Sequence, residues 1–154
     1  ESILFYGEAG AGPLARGSQV PVTLLGGGSY TFTSGLAVIL EVLRNRDQRG
    51  SPPVAAPPAA GPLGGSDTGQ PLSGRHYLFA QLQNGPAQGG TIWHARYTYN
   101  ADDGSGQFSA YLEGTVFSRL SPFVLVGLGH GARASEFGAG RDRMIMGGAR
   151  LFLW

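Results

Sequence analysis

The sequence predicts an all-β chain, an antiparallel up-and-down barrel of eight strands that crosses a membrane. Three observations lead there. Segments long enough for tilted membrane strands alternate between a uniformly apolar face and a mixed one. Glycine is abundant, at 27 of 154 residues, and charged residues make up only 14%, against about 25% in typical soluble domains. The connections between segments alternate between long and short, as they do when strands run up and down through a bilayer with both termini on one side.

The length suits a single domain spanning residues 1–154, and 42% hydrophobic content excludes plain disorder. Cysteine is absent, which removes disulfide and thiolate-metal chemistry and fits an envelope protein. Every cation is arginine, the net charge is +1, and no basic block occurs, so nucleic acid is not an expected partner. No run of 18 apolar residues is present, which excludes a transmembrane helix but not a barrel, whose alternating strands score poorly on hydropathy. The chain begins at Glu1 without Met or a signal peptide and reads as a processed mature form or a piece of a longer protein.

In chain order, Ser2 to Ala9 sets Ile3, Phe5, Gly7 and Ala9 against Ser2, Leu4, Tyr6 and Glu8, a first strand followed by a Gly/Pro loop from Gly10 to Ser18. Gln19 to Phe32 alternates again and ends in the tight turn Thr33-Ser34-Gly35. Leu36 to Arg46 admits a helix started by a cap-like Thr33 or Ser34. The β-branched Val38, Ile39 and Val42 and the short preceding turn favour a strand. Asp47 to Gly74 holds six of the ten prolines, so it is expected to be a long outer loop with neither ladder nor helix, dispensable for folding. Arg75 to Asn84 and Thr91 to Asn100 form the next pair, joined through Gly85 to Gly90, and Asp102-Asp103-Gly104 signals a turn. Gln107 to Ser118 and Pro122 to His130 follow, joined by Arg119-Leu120-Ser121, and a loop from Gly131 to Asp142 leads to the last strand. That strand, Arg143 to Trp154, puts Ile145, Gly147, Ala149, Leu151 and Leu153 on one side and Met144, Met146, Gly148, Arg150, Phe152 and Trp154 on the other.

The segments FTSGLAVILEVLRN, GRHYLFAQL, YNADDGSGQFS and ASEFGAGRDRMIMGGARLFLW, the last ending on an aromatic, resemble in order and spacing the final strands of bacterial outer-membrane β-barrels of the porin-like family. Such porins are usually much longer, so the chain reads either as an eight-stranded barrel or as the C-terminal eight strands of a larger one. The resemblance implies residence in the bacterial outer membrane, with the lipid bilayer as partner. It also implies a C-terminal signal, Phe152 and Trp154, read by the barrel assembly machinery, and a porin-like passive channel.

The alternation directs Glu8, Glu41, His94, Arg96, Glu113 and Arg150 toward the lumen, where charges need partners. They read either as a structural ion-pair network or as a narrow polar conduit whose arginines favour anions. His76, His94 and His130 lack metal-ligand spacing, and no metal or cofactor is expected. His130, Ser135 and Glu136 are the one close set with the residue types of a lipid hydrolase. No motif surrounds them, and the chain is not expected to be an enzyme. Gly26-Gly27-Gly28 has no following helix or Lys to make a phosphate loop and fits close packing on a barrel wall. Tyr30, Phe32, Trp93, Tyr97, Tyr99 and Trp154 are candidates for interfacial girdles. Two further readings stand beside the channel: a structural barrel that scaffolds an envelope complex, contacting other envelope proteins through loop 47–74, and a soluble lipocalin-like ligand-binding barrel. The last is disfavoured because it needs its apolar face inside.

Overall fold

The structure, a computed structural model, describes residues 1–11, 22–46, 54–55, 71–72, 74–85, 90–114, 116, 119–138 and 143–151. Eight strands form one antiparallel sheet in chain order: Ser2–Ala11 (β1), Val22–Thr31 (β2), Leu36–Arg46 (β3), His76–Asn84 (β6), Thr91–Asn100 (β7), Ser105–Gly114 (β8), Leu120–His130 (β9) and Arg143–Leu151 (β10). Leu36–Arg46 is a strand, so the helix alternative falls away. Between β3 and β6, Val54–Ala55 (β4) pairs with Pro71–Leu72 (β5).

Local chemistry sets the turns. Gly35 adopts φ 82°, and the Phe32 and Gly35 amides close the β2–β3 hairpin on Leu36 and Phe32 carbonyls at 2.8 and 2.9 Å. At the β7–β8 turn Gly104 has φ 70°, while Asp103 accepts hydrogen bonds from the Ser105 amide and hydroxyl at 2.9 and 2.6 Å. That side-chain cap starts β8 two residues earlier than Gln107. The Asn84 side chain bridges the start of the next hairpin, donating to the Thr91 carbonyl at 2.6 Å and accepting from the Trp93 amide at 2.8 Å.

One row of partners crosses all eight strands: Ile3, Tyr30, Val38, Leu82, Ala95, Ala110, Val126 and Ile145. No member carries a charge. On this face Leu40, Val42, Leu78 and Leu112 are exposed at 59%, 53%, 48% and 47%. On the other face Gln81, Arg96, Ser109 and Glu113 are buried at 5%, 3%, 3% and 7%. The sheet therefore encloses its polar side and opens its apolar side, the reverse of a water-soluble protein. Among the described side chains, the charged and imidazole ones of the apolar face, Arg44, His76, His130 and Arg143, lie at the strand ends where the long connections leave.

Two expectations are corrected. The sheet is not closed into a barrel: β1 and β10 are its edges, and no Cα of one lies within 8 Å of the other. In-folded chain lies against one end of the polar face, where Leu72 and Phe137 pack on Leu43, Tyr77 and Phe79. The second concerns the proline-rich connection, which does hold a short ladder. Pro71 opens its strand, where a missing N–H is tolerated. Leu72, only 2% exposed, packs against Leu43, Tyr77, Phe79 and Phe137, so this end of the connection turns onto the polar face rather than away from it. The rest of the expected outer loop 47–74, with its dispensability for folding, falls largely outside the described residues.

Candidate functional site

The polar face carries two clusters of paired charges. In the first, Glu41 on β3 sits between β1 and β7. The Tyr6 hydroxyl donates to its Oε1 at 2.6 Å, and the Arg96 guanidinium lies 3.4 Å from its Oε2. Arg96 also rests over the Phe79 ring, 4.5 Å from its centroid. In the second, the Tyr111 hydroxyl donates to Glu113, whose other oxygen lies 3.5 Å from the Arg150 guanidinium. Arg150 also reaches the Tyr111 oxygen at 3.5 Å, and His94 stacks on the Tyr111 ring at 5.3 Å between centroids.

Tyr6 and Arg96 reach Glu41, and Arg150 reaches Glu113, each across an intervening strand, which an antiparallel meander permits only when side chains share one face. Of the six residues assigned to the polar face, Glu41 joins Arg96, Glu113 joins Arg150, and His94 stands beside the second pair. Glu8 is on the same face but on the β1 edge, exposed and paired in register with Leu25, away from Arg150. Phe152 and Trp154 lie outside the described residues.

A third cluster covers one end of the polar face. Glu136, in the connection before β10, accepts hydrogen bonds from the Tyr77 hydroxyl at 2.5 Å and the Asn100 amide at 2.7 Å. Its own backbone N–H donates to Asp103 at 2.7 Å. Asp102 receives the backbone amides of Arg75 and His76 and faces the His76 ring at 2.8 Å. Beneath these polar contacts lies the apolar group of Leu43, Leu72, Tyr77, Phe79 and Phe137. Burial pushes the Asp102 carboxyl up, but hydrogen bonds from the His76 ring and the Arg75 and His76 amides outweigh it and hold the group below its ordinary value. Asp103 behaves alike: burial raises it, while the Glu136 amide and the Ser105 hydroxyl and amide bring it down further.

This cap draws on the connections around 71–74, 101–104 and 131–138, so chain far apart in sequence meets at one mouth of the sheet. Sequence reading missed Tyr6, Tyr77, Tyr111 and Asp102 as site residues, and weighed Glu136 only as the acid of a hydrolase set. Tyr6 and Tyr111 had a signal, since both alternate onto the faces of Glu8 and Glu113, but the roles of Asp102 and Glu136 depend on loop convergence. The hydrolase set is not assembled: the Ser135 hydroxyl donates to the Ala132 carbonyl at 2.7 Å, Glu136 holds Tyr77 and Asn100, and His130 meets Tyr97 at 2.6 Å. Among the described residues no group of His, Asp and Glu has the geometry to hold a metal ion.

The apolar face carries a groove among the described residues. Gly26 and Gly28 floor this groove of about 800 Å³, which is lined by Phe5, Tyr30, Leu40, Leu78, Tyr97 and Tyr99. Comparison with protein-family models, curated proteins and solved structures yields no match.

Proposed function

We propose that this sheet is the wall of a bacterial outer-membrane β-barrel and serves as part of a porin-like passive conduit. The observation that carries the reading is the uncharged row from Ile3 to Ile145 on the open face of a sheet whose enclosed face holds Glu41, Arg96, Glu113 and Arg150. Water would disfavour so continuous an apolar surface, whereas hydrocarbon accepts it. The groove over the glycine triplet then faces lipid tails, and Tyr97, Tyr99 and His130 stand near one interface.

Inside, Arg96 and Arg150 each have a carboxylate beside them, so their charge is offset locally and anion selectivity is weak. A lipocalin-like role needs the opposite placement of apolar side chains, and no specific observation favours a scaffold. The test is to refold the chain into phosphatidylcholine vesicles, follow β-structure by circular dichroism and protection from trypsin, and record conductance in planar bilayers. Insertion with small, weakly selective conductance steps is expected. A monomer that stays in solution without detergent, or inserts without conducting, would refute the proposal.

A further inference from the structure

We infer that the groove on the apolar face seats one acyl chain of a glycerophospholipid with a net negative headgroup, lying along β2 with its phosphate against Arg44. This rests on the membrane reading and narrows it to a single lipid site.

The seat comes from two glycines. Along β2 the apolar face carries Leu24, Gly26, Gly28 and Tyr30 in succession, so two neighbouring positions have no side chain. Nothing lies within 4 Å of the point where a Cβ on Gly26 would stand, whereas the Phe5 ring leans to 3.0 Å from the same point on Gly28. Phe5 is thus one wall. Leu40 and Val42, opposite these glycines on β3, are 59% and 53% exposed and rise as the other. Tyr30, packed edge-on against Phe32 at 4.7 Å between centroids, closes one end. The trough therefore runs with the strand, blind at Tyr30 and open toward Leu24, about 13 Å of strand beyond Gly28. Strands β1 and β3 stand about 9.6 Å apart across β2, before the Phe5 and Leu40 side chains narrow the space. One hydrocarbon chain fits; a helix, about 10–12 Å across with its side chains, does not.

Charge at the open end selects the headgroup. The register puts Arg44 between Leu24 and His76, at the end of the trough. Arg44 is exposed, and among the described residues no carboxylate pairs with it. Asp102 faces the His76 ring at 2.8 Å and accepts the Arg75 and His76 amides, so its charge is directed into the cap. The depth is right for a headgroup as well. Counting same-face positions from the uncharged row, His130 lies one closer than Arg44 and His76, and Arg143 one closer again. That descent is the oblique line a bilayer surface traces across tilted strands. An unpaired guanidinium above an apolar trough suits one anionic amphiphile, whose phosphate oxygens match its fork of donors. A neutral apolar ligand leaves Arg44 unanswered, and phosphatidylcholine brings a positive charge of its own.

The test refolds the chain into vesicles of equal phosphatidylglycerol and phosphatidylcholine, scores insertion by trypsin protection, and transfers the protein to mild detergent for native mass spectrometry. One phosphatidylglycerol per chain should persist in preference to phosphatidylcholine. R44Q should lower that preference roughly tenfold, the scale of one charge-assisted hydrogen bond, while R143Q on the same face leaves it unchanged. G26L, whose side chain enters open space, should insert normally and lose the bound lipid. Equal retention of the two lipids, equal losses in R44Q and R143Q, or undiminished retention in G26L would overturn the inference, while trypsin protection keeps the membrane reading standing. A two-chain mass in place of the lipid complex would assign this face to a second copy and overturn it too. Failure to insert sinks both readings together.

Discussion

The Tyr6 hydroxyl donates to the Glu41 carboxylate at 2.6 Å across Gly27, and a methyl group on Gly27 would lie 3.0 Å from the ring of one and 3.0 Å from the Cγ of the other. The same methyl would stand 2.9 Å from the Leu40 carbonyl oxygen, which belongs to backbone and cannot swing away. A residue that looks like a flexible spacer in the sequence is therefore what lets β1 and β3 join hands over β2.

Gly27→Ala is expected to destabilise the refolded protein by about 1–3 kcal/mol, the usual range for overpacking. Gly26→Ala, whose new Cβ meets nothing within 4 Å, should be neutral or slightly stabilising. Urea unfolding from vesicles separates them; equal midpoints would mean that the Tyr6–Glu41 bond does not need the space.

The two faces of β8 offer an internal comparison. Ala110 belongs to the uncharged row of the apolar face, and Gln107 lies on the polar face. Ala110→Arg should cost about 2–4 kcal/mol of stability in the bilayer, as for a cation facing hydrocarbon near mid-depth. Gln107→Arg should cost much less. Similar refolding yields and midpoints for the two would reverse the assignment of faces.

Glu136 ties the connection before β10 to Tyr77 and Asn100. Removing it in Glu136→Ala leaves the buried Tyr77 hydroxyl and Asn100 amide short of an acceptor, at about 1–3 kcal/mol. Leu72→Ala should cost about 2–5 kcal/mol by hollowing the apolar group beneath. Because the cap covers one mouth, both variants should raise single-channel conductance. Unchanged conductance alongside lowered stability would show that the cap supports the wall without restricting flow.

The cap should also loosen in acid. Asp102 and Asp103 titrate below the ordinary 3.8, so their folded-state hydrogen bonds add stability above that value and lose it as pH falls through the depressed folded values. Cleavage of the connections by pepsin in vesicles should accelerate as pH drops from about 4 toward 2. The D102N/D103N variant should be cleaved readily throughout that range, with less pH dependence. Identical pH profiles for the two proteins would remove these aspartates from the cap's stability.

What the sequence alone determined is the material that has period two. Alternation placed Ile3, Val38, Leu82 and Ile145 on one face and Glu41, Arg96, Glu113 and Arg150 on the other, since neighbouring residues of a strand must point oppositely. Turn chemistry at Gly35 and Gly104 set where the chain reverses, a local matter of φ that no distant contact has to supply. Tertiary structure alone decided the rest. Which carboxylate meets which arginine depends on register summed over several strands, and Glu8 parts from Arg150 because the edges of one chain stay open. The proline-rich connection looked incapable of order by composition. Leu72 nevertheless finds Tyr77, Phe79 and Phe137 because burial rewards an apolar side chain wherever the fold brings a surface to it, and nothing in the local sequence announces that surface.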